Sequence, residues 1–177
     1  NIIDIQALSE FVTKAYERAG LTPDKIDTGA VIITGDAARK DNAEAIANMF
    51  SQQAGKFVCA TAGPNLEAQM AVNGSGTVDK TGEGDGGIET GMNVDVGGGT
   101  SKLAIAHRGA IVDTSAMNVG ARLVVYDEHS CVIKIEDAGQ IVAEDLGLNL
   151  KIGQVINQDT KQKLSRRLAN SLVNVMS

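Results

Sequence analysis

Residues 93 to 105 read Asn93-Val94-Asp95-Val96-Gly97-Gly98-Gly99-Thr100-Ser101-Lys102-Leu103-Ala104-Ile105. Val94 and Val96, then Leu103 and Ile105, recur at every second residue on either side of three glycines, the period of two strands joined by a turn. The stretch therefore predicts adjacent antiparallel strands over Val94 to Val96 and Leu103 to Ala106, with Gly97 to Gly99 outside any helix. Familiar nucleotide loops read differently, because no GxxxxGK[ST] pattern is present and no helix follows the glycines. Residues without a Cβ can take φ > 0 and bring their N–H groups against a phosphate. Thr100 and Ser101 add hydroxyl donors, and Asp95, at the end of a buried strand, can hold a hydrated Mg²⁺ or orient the water that attacks a γ-phosphate. A glycine hairpin that binds nothing would need neither the carboxylate nor the hydroxyls.

Outward from this stretch, Ile111 and Val112 place a third strand after the Arg108-Gly109 turn, which makes a β-meander. Upstream, Ile5, Leu8, Val12 and Ala15 recur at steps of three and four and predict an amphipathic helix that Gly20 stops. Ala30 to Thr34 reads as a buried strand. Asp36 offers a cap to a helix with Ala43, Ile46, Ala47, Phe50 and Ala54 inward, and Phe57 to Ala60 is a second buried strand. Strand, helix, strand predicts a parallel crossover and an α/β layer fold with a mixed sheet flanked by helices. Pro64 starts a short helix over Leu66, Ala68, Met70 and Ala71. Between Asn73 and Gly91 lie seven glycines in nineteen residues, with too little apolar surface to offset ordering entropy, so a mobile loop or hinge is expected there. Downstream, Cys131 to Ile135 reads as a strand and Ala138 to Leu146 as a short helix. Leu164, Leu168, Leu172 and Val175 line one face of a C-terminal helix. The organisation expected is thus a helix and α/β segment over 1–72, a glycine-rich loop over 73–91, and the glycine-motif segment over 92–177.

Among 177 residues, 43% are hydrophobic, and 22 acidic against 16 basic side chains leave a formal charge of -6. A negative surface repels phosphate backbones and anionic lipid, so nucleic acid is not an expected partner. No apolar stretch approaches the roughly 20 residues that span a bilayer and no signal peptide is legible, so no membrane partner and a cytoplasmic location are expected. Cys59 and Cys131 lie in apolar runs without CxxC spacing or a companion His and read as buried structural thiols. The chain starts at Asn1 in a helix-like segment, which suggests an excerpt of a longer protein.

Strand, Asp, Gly-Gly-Gly-Thr and returning strand resemble the second phosphate loop of the actin, heat-shock chaperone and sugar kinase ATPase superfamily, with its ribonuclease H-like fold. Three further blocks narrow the resemblance: Ile33-Thr34-Gly35-Asp36-Ala37-Ala38-Arg39-Lys40-Asp41-Asn42-Ala43, then Ala60-Thr61-Ala62-Gly63-Pro64-Asn65-Leu66-Glu67, then Asn118-Val119-Gly120-Ala121-Arg122-Leu123. In that order they resemble the reactivating factors of ethanolamine ammonia-lyase. The resemblance implies ATP and Mg as cofactors, the lyase as partner, and an ATP-driven, chaperone-like release of damaged cobalamin through rotation between lobes. It also leaves open a homo-oligomer and association with a bacterial microcompartment. Carried onto these residues, it implies Asp95 as the catalytic and metal-ordering acid. Gly97, Gly98, Gly99, Thr100, Ser101 and Gly120 become the nucleotide-binding set.

The chain departs from the superfamily in four respects. A first phosphate loop and a later adenosine-holding glycine pair are not legible, Gly63 precedes Pro64 where the chaperones place a Glu, and Gly120-Ala121 stands where relatives often show Gly-Gly. Hydrolysis is accordingly expected of the complete protein rather than of this stretch alone. An actin-like scaffold, or a small-molecule kinase of the same superfamily, is the alternative; no sugar- or acid-binding segment with a general-base Asp is identifiable. His107 and His129 lack partners at metal-ligand spacing and read as surface residues. Asp36, Arg39, Lys40 and Asp41 read as a cap and a solvated first turn, and Ser101 lacks the elbow of a nucleophile.

Overall fold

The computed structural model describes residues 2–34, 41–54, 57–84 and 87–177. Two compact units result, Asn1–Glu67 and Ala68–Ser177.

In the first unit, helix α1 (Ile5–Ala19) begins where the Asp4 carboxylate accepts from the Ala7 N–H at 2.9 Å. It ends as expected at Gly20, whose φ of 67° is left-handed and whose N–H donates to the Glu17 carbonyl at 3.0 Å. The Asn42 side chain clasps the entry to α1: Oδ1 accepts from Ile3 N–H at 2.8 Å and Nδ2 donates to the Ile3 carbonyl at 2.7 Å. Strand β1 (Gly29–Ile33), helix α2 (Ala43–Ala54) and strand β2 (Phe57–Thr61) form the expected crossover, with β1 and β2 parallel and Ile33 beside Thr61. Among the described side chains of α2, Ile46 and Met49 are buried and Ala47 and Phe50 half-buried. β1 departs from the expected buried strand, because its burial alternates and Ile32 is 46% exposed. The cap expected from Asp36, and Arg39 and Lys40 beside it, lie outside the described residues.

Helix α3 (Pro64–Gly74) starts at Pro64 as expected, and its Ala68 and Val72, rather than Leu66, are buried. In the second unit β3 (Thr90–Val96), β4 (Ser101–His107) and β5 (Ala110–Met117) form the antiparallel meander. Register pairs Val94 with Leu103, Asp95 with Lys102 and Val96 with Ser101. Arg108 (φ 49°) and Gly109 (φ 79°) make the two-residue turn into β5, where positive φ at both positions suits the strand twist. Ala104 and Ala106 of β4 form a core with Ala68 and Val72 of α3, with Val78 and Ile111 packed against it.

The stretch expected as a loop over 73–91 contains a helix, α4 (Thr77–Gly82). Thr81 is buried, donating to the Val78 carbonyl at 2.9 Å and accepting from the Gly109 N–H at 3.2 Å. Composition misled because some of these glycines serve as contact surface: a Cβ at Gly91 would meet Thr77 Cγ2 at 2.8 Å, and one at Gly82 would meet Gly109 Cα at 3.2 Å. Backbone laid on backbone needs few apolar side chains.

A second core gathers Val132, Val142, Ala143, Leu150, Ile156 and Leu164, supplied by the hairpin β6 (Val124–Tyr126) and β7 (Val132–Ile135), helices α5 (Asp137–Asp145) and α6 (Gln158–Met176), and the segment between those helices. On α6 the expected stripe tapers, from Leu164 buried through Leu168 and Leu172 half-buried to Val175 exposed. Cys131, expected buried, is half-buried.

Candidate functional site

The turn between β3 and β4 is built by its backbone. The Gly97 N–H donates to the Thr100 carbonyl at 2.9 Å and closes the loop. The segment from Val119 to Arg122 then clamps it from behind: Ala121 N–H donates to the Gly97 carbonyl at 2.9 Å and Arg122 N–H to the Gly98 carbonyl at 2.7 Å. Ser101, with no exposed surface, donates its Oγ proton to the Val119 carbonyl at 2.6 Å. With the loop carbonyls drawn toward this segment, the N–H groups of Gly98, Gly99 and Thr100 donate to no acceptor among the described residues. Gly98 and Gly99 are exposed. A side chain at Gly99 would meet no atom within 4 Å, and one at Gly98 would touch only Arg122 Cβ at 4.0 Å. Exposed backbone N–H groups without an acceptor can receive an anion.

The expected left-handed backbone is absent here, since none of Gly97, Gly98 and Gly99 has positive φ. Their need for glycine is spatial instead. A Cβ at Gly97 would lie 3.0 Å from the Thr100 carbonyl oxygen. Gly120, buried behind the loop, is the tighter case, where an added Cβ would stand 2.6 Å from the Gly98 carbonyl carbon and 2.7 Å from that of Gly99. Gly120 thus joins the site as its floor. Ser101, expected as a phosphate donor, has its hydroxyl proton committed to that same support.

Asp95 is exposed one step before Val96 at the end of β3, and among the described residues its carboxylate is in no ion pair or hydrogen bond. No group of three His, Cys, Asp or Glu that could hold a metal occurs among the described residues. A lone carboxylate beside free amides fits a cation that keeps most of its waters and takes further oxygens from a phosphate, as Mg²⁺ does.

Three blocks of sequence and this loop can be set beside known proteins. The family described as ethanolamine utilisation protein EutA matches residues 1–177. The chain belongs to the EutA family.

Two relatives within it carry the name ethanolamine ammonia-lyase reactivase EutA. The Escherichia coli (strain K12) protein is 33% identical and the Salmonella typhimurium protein 31% identical, each over 170 residues. Those alignments take in 96% of this chain and 36% of each relative, so the chain spans about a third of their length. Among solved structures, a Ppx/GppA phosphatase of Aquifex aeolicus aligns over 97% of this chain and 45% of its own, with 15% identity and a TM-score of 0.47. The ethanolamine utilization protein EutJ of Carboxydothermus hydrogenoformans aligns over 97% of this chain and 52% of its own, with 17% identity and a TM-score of 0.44.

Two cations near the EutA loop escaped the sequence reading. Lys102 is 6% exposed although it sits in a strand, and its Nζ is 3.8 Å from where a Gly97 side chain would begin. Arg122 is exposed beside Gly98. No local signal marked Lys102, because a lysine in a strand ordinarily faces solvent. Other candidates stay apart from the loop: His107 Nδ1 is 2.7 Å from Thr90 Oγ1 and His129 is 3.6 Å from Glu128, both at the surface. A cavity of about 430 Å³ lined by Thr81, Gly82, Gly84, Gly87, Ile88, Glu89 and Arg108 lies at the opposite end of β4. Among the described residues no helix is long and apolar enough to cross a membrane.

Proposed function

We propose that the complete protein is an actin-like, ATP-binding reactivase that acts on ethanolamine ammonia-lyase and lets a damaged cobalamin leave. Membership in the EutA family and the names of two relatives support the lyase as partner. The single observation that supports ATP is the exposed loop with unpaired N–H groups at Gly98, Gly99 and Thr100 beside the Asp95 carboxylate.

In this reading Gly98, Gly99 and Thr100 present their N–H groups to the β- and γ-phosphates. Gly120 and Ser101 hold the loop in the shape that does so. Asp95 holds Mg²⁺ through water and orients the attacking water, and the metal when bound supplies charge to neutralise the phosphate oxygens. A chain of formal charge -6 must meet the about three to four negative charges of ATP with such local donors, so binding should require Mg²⁺.

The test uses the complete protein and a pair of substitutions. Asp95→Asn leaves the loop intact, so ATP turnover should fall by about two orders of magnitude or more while nucleotide affinity changes by less than about tenfold. Gly98→Val places a branched side chain on the open side of the loop, where the phosphate approaches, so affinity itself should be lost. Equal loss of affinity in both variants, or none in either, would show that the loop is not the nucleotide site. Lyase inactivated with a cobalamin analogue should regain activity with wild-type protein, Mg-ATP and fresh cofactor, and should not with Asp95→Asn.

A further inference from the structure

Arg122 is the charged side chain beside the loop to which this reading gives no role. It is exposed, and among the described residues its guanidinium is in no ion pair or hydrogen bond. Lys102, by contrast, is buried in β4 and already has a partner. The Asp95 carboxylate and the Arg122 guanidinium therefore lie at one loop without pairing with each other. The base of the Arg122 side chain is fixed from two directions. Its own N–H donates to the Gly98 carbonyl at 2.7 Å, and the carbonyl of the next residue, Leu123, accepts from the Glu136 N–H at 2.8 Å. Leu123 is 2% exposed, and Gly139 of α5 packs so closely on that carbonyl that a Cβ there would lie 2.5 Å from the oxygen. From this base the side chain leaves alongside exposed Gly98, where Arg122 Cβ, at 4.0 Å, is what an added Cβ would touch. Gly120 closes the loop from behind, and Arg122 borders its open side. A guanidinium suits that position, because its planar fork of donors matches phosphate oxygens through two parallel N–H···O bonds.

We propose that Arg122 is the phosphate clasp of the loop, a guanidinium that closes over a nucleotide phosphate seated on the N–H groups of Gly98, Gly99 and Thr100. The inference rests on the nucleotide reading above and adds the group that supplies a full positive charge where backbone N–H groups supply partial ones. That charge offsets the repulsion between the phosphate and the Asp95 carboxylate. Because the guanidinium stays in contact with water, its attraction for the phosphate is screened by salt.

The test titrates the complete protein with Mg-ATP at low and high salt, in wild type and in the Arg122→Gln and Arg122→Lys variants, with thermal unfolding followed alongside. Arg122→Gln should weaken Mg-ATP at low salt by about 10- to 100-fold, the size of a lost charge-assisted hydrogen bond, and leave the melting temperature unchanged. The gap between wild type and Arg122→Gln should narrow as salt rises. Arg122→Lys keeps the charge and loses the fork, so it should recover part of the affinity. If wild type binds Mg-ATP and Arg122→Gln binds it within about threefold as well, the inference is wrong and the nucleotide reading stands. If Arg122→Gln loses affinity equally at both salt concentrations, or loses it together with melting temperature and Arg122→Lys recovers neither, Arg122 supports the fold and does not clasp phosphate. If wild type does not bind Mg-ATP, the nucleotide reading falls and this inference with it.

Discussion

At the scale of single residues, the loop depends on groups that face away from any ligand. Gly120 sits so close behind Gly98 and Gly99 that Gly120→Ala must push backbone, and overpacking of this kind costs about 1–3 kcal/mol. Thermal unfolding should show that loss, and Mg-ATP titration should show a larger drop in affinity than for Gly99→Ala, where the space is open. Ser101→Ala removes the donor to the part-buried Val119 carbonyl, at about 0.5–1.5 kcal/mol. An unchanged melting temperature in Ser101→Ala would mean that this bond does not hold the loop. Asp95 and the glycines stood out in the sequence because a carboxylate before a glycine turn and the close packing of backbone at Gly97 and Gly120 both call for particular residue types; the nucleotide roles given to them remain a proposal. Lys102 did not stand out, because lysine in a strand usually marks a solvent face and nothing local distinguishes a buried one.

At the scale of elements, the meander and the crossover followed from periodicity and turn chemistry. Alternation placed β3 and β4, Arg108-Gly109 placed the turn into β5, and Gly20 ended α1. Helix α4 was hidden, because a glycine-rich stretch reads as entropy when its partners are unknown and as contact surface once Gly91, Gly82 and Gly109 are seen beneath and beside it. Hydrogen exchange separates these behaviours within one experiment. Amides of β4, paired on both sides, should exchange slowest, whereas Gly98, Gly99 and Thr100 should exchange within seconds in the free protein and slow down in Mg-ATP. Slow exchange at those three residues without nucleotide would show that their N–H groups already have partners. The expectation that Ala30 to Thr34 is buried throughout was half right: Ile33 is buried and Ile32 is not, since a continuous β-branched run carries no information about which face is covered.

At the scale of the whole molecule, this chain covers 36% of its curated relatives, and of the two phosphate loops that the superfamily resemblance implies, a counterpart of one is legible in its sequence. The 177-residue chain alone should therefore bind Mg-ATP at least about tenfold more weakly than the complete protein, and micromolar affinity for the chain by isothermal titration would show that one loop suffices. What the sequence determined by itself was chemical: a carboxylate, a triple glycine and a hydroxyl between two strand periods, with three flanking blocks that name a family. Those signals are local, carried by residue type and spacing, and survive without knowledge of neighbours. What only the tertiary structure decided was contact between distant segments: Gly120 under Gly98, Val119 receiving the Ser101 proton, α4 laid on Gly91, and Lys102 turned toward Gly97. Such contacts depend on the approach of backbones across many residues, and no single stretch of sequence records that distance.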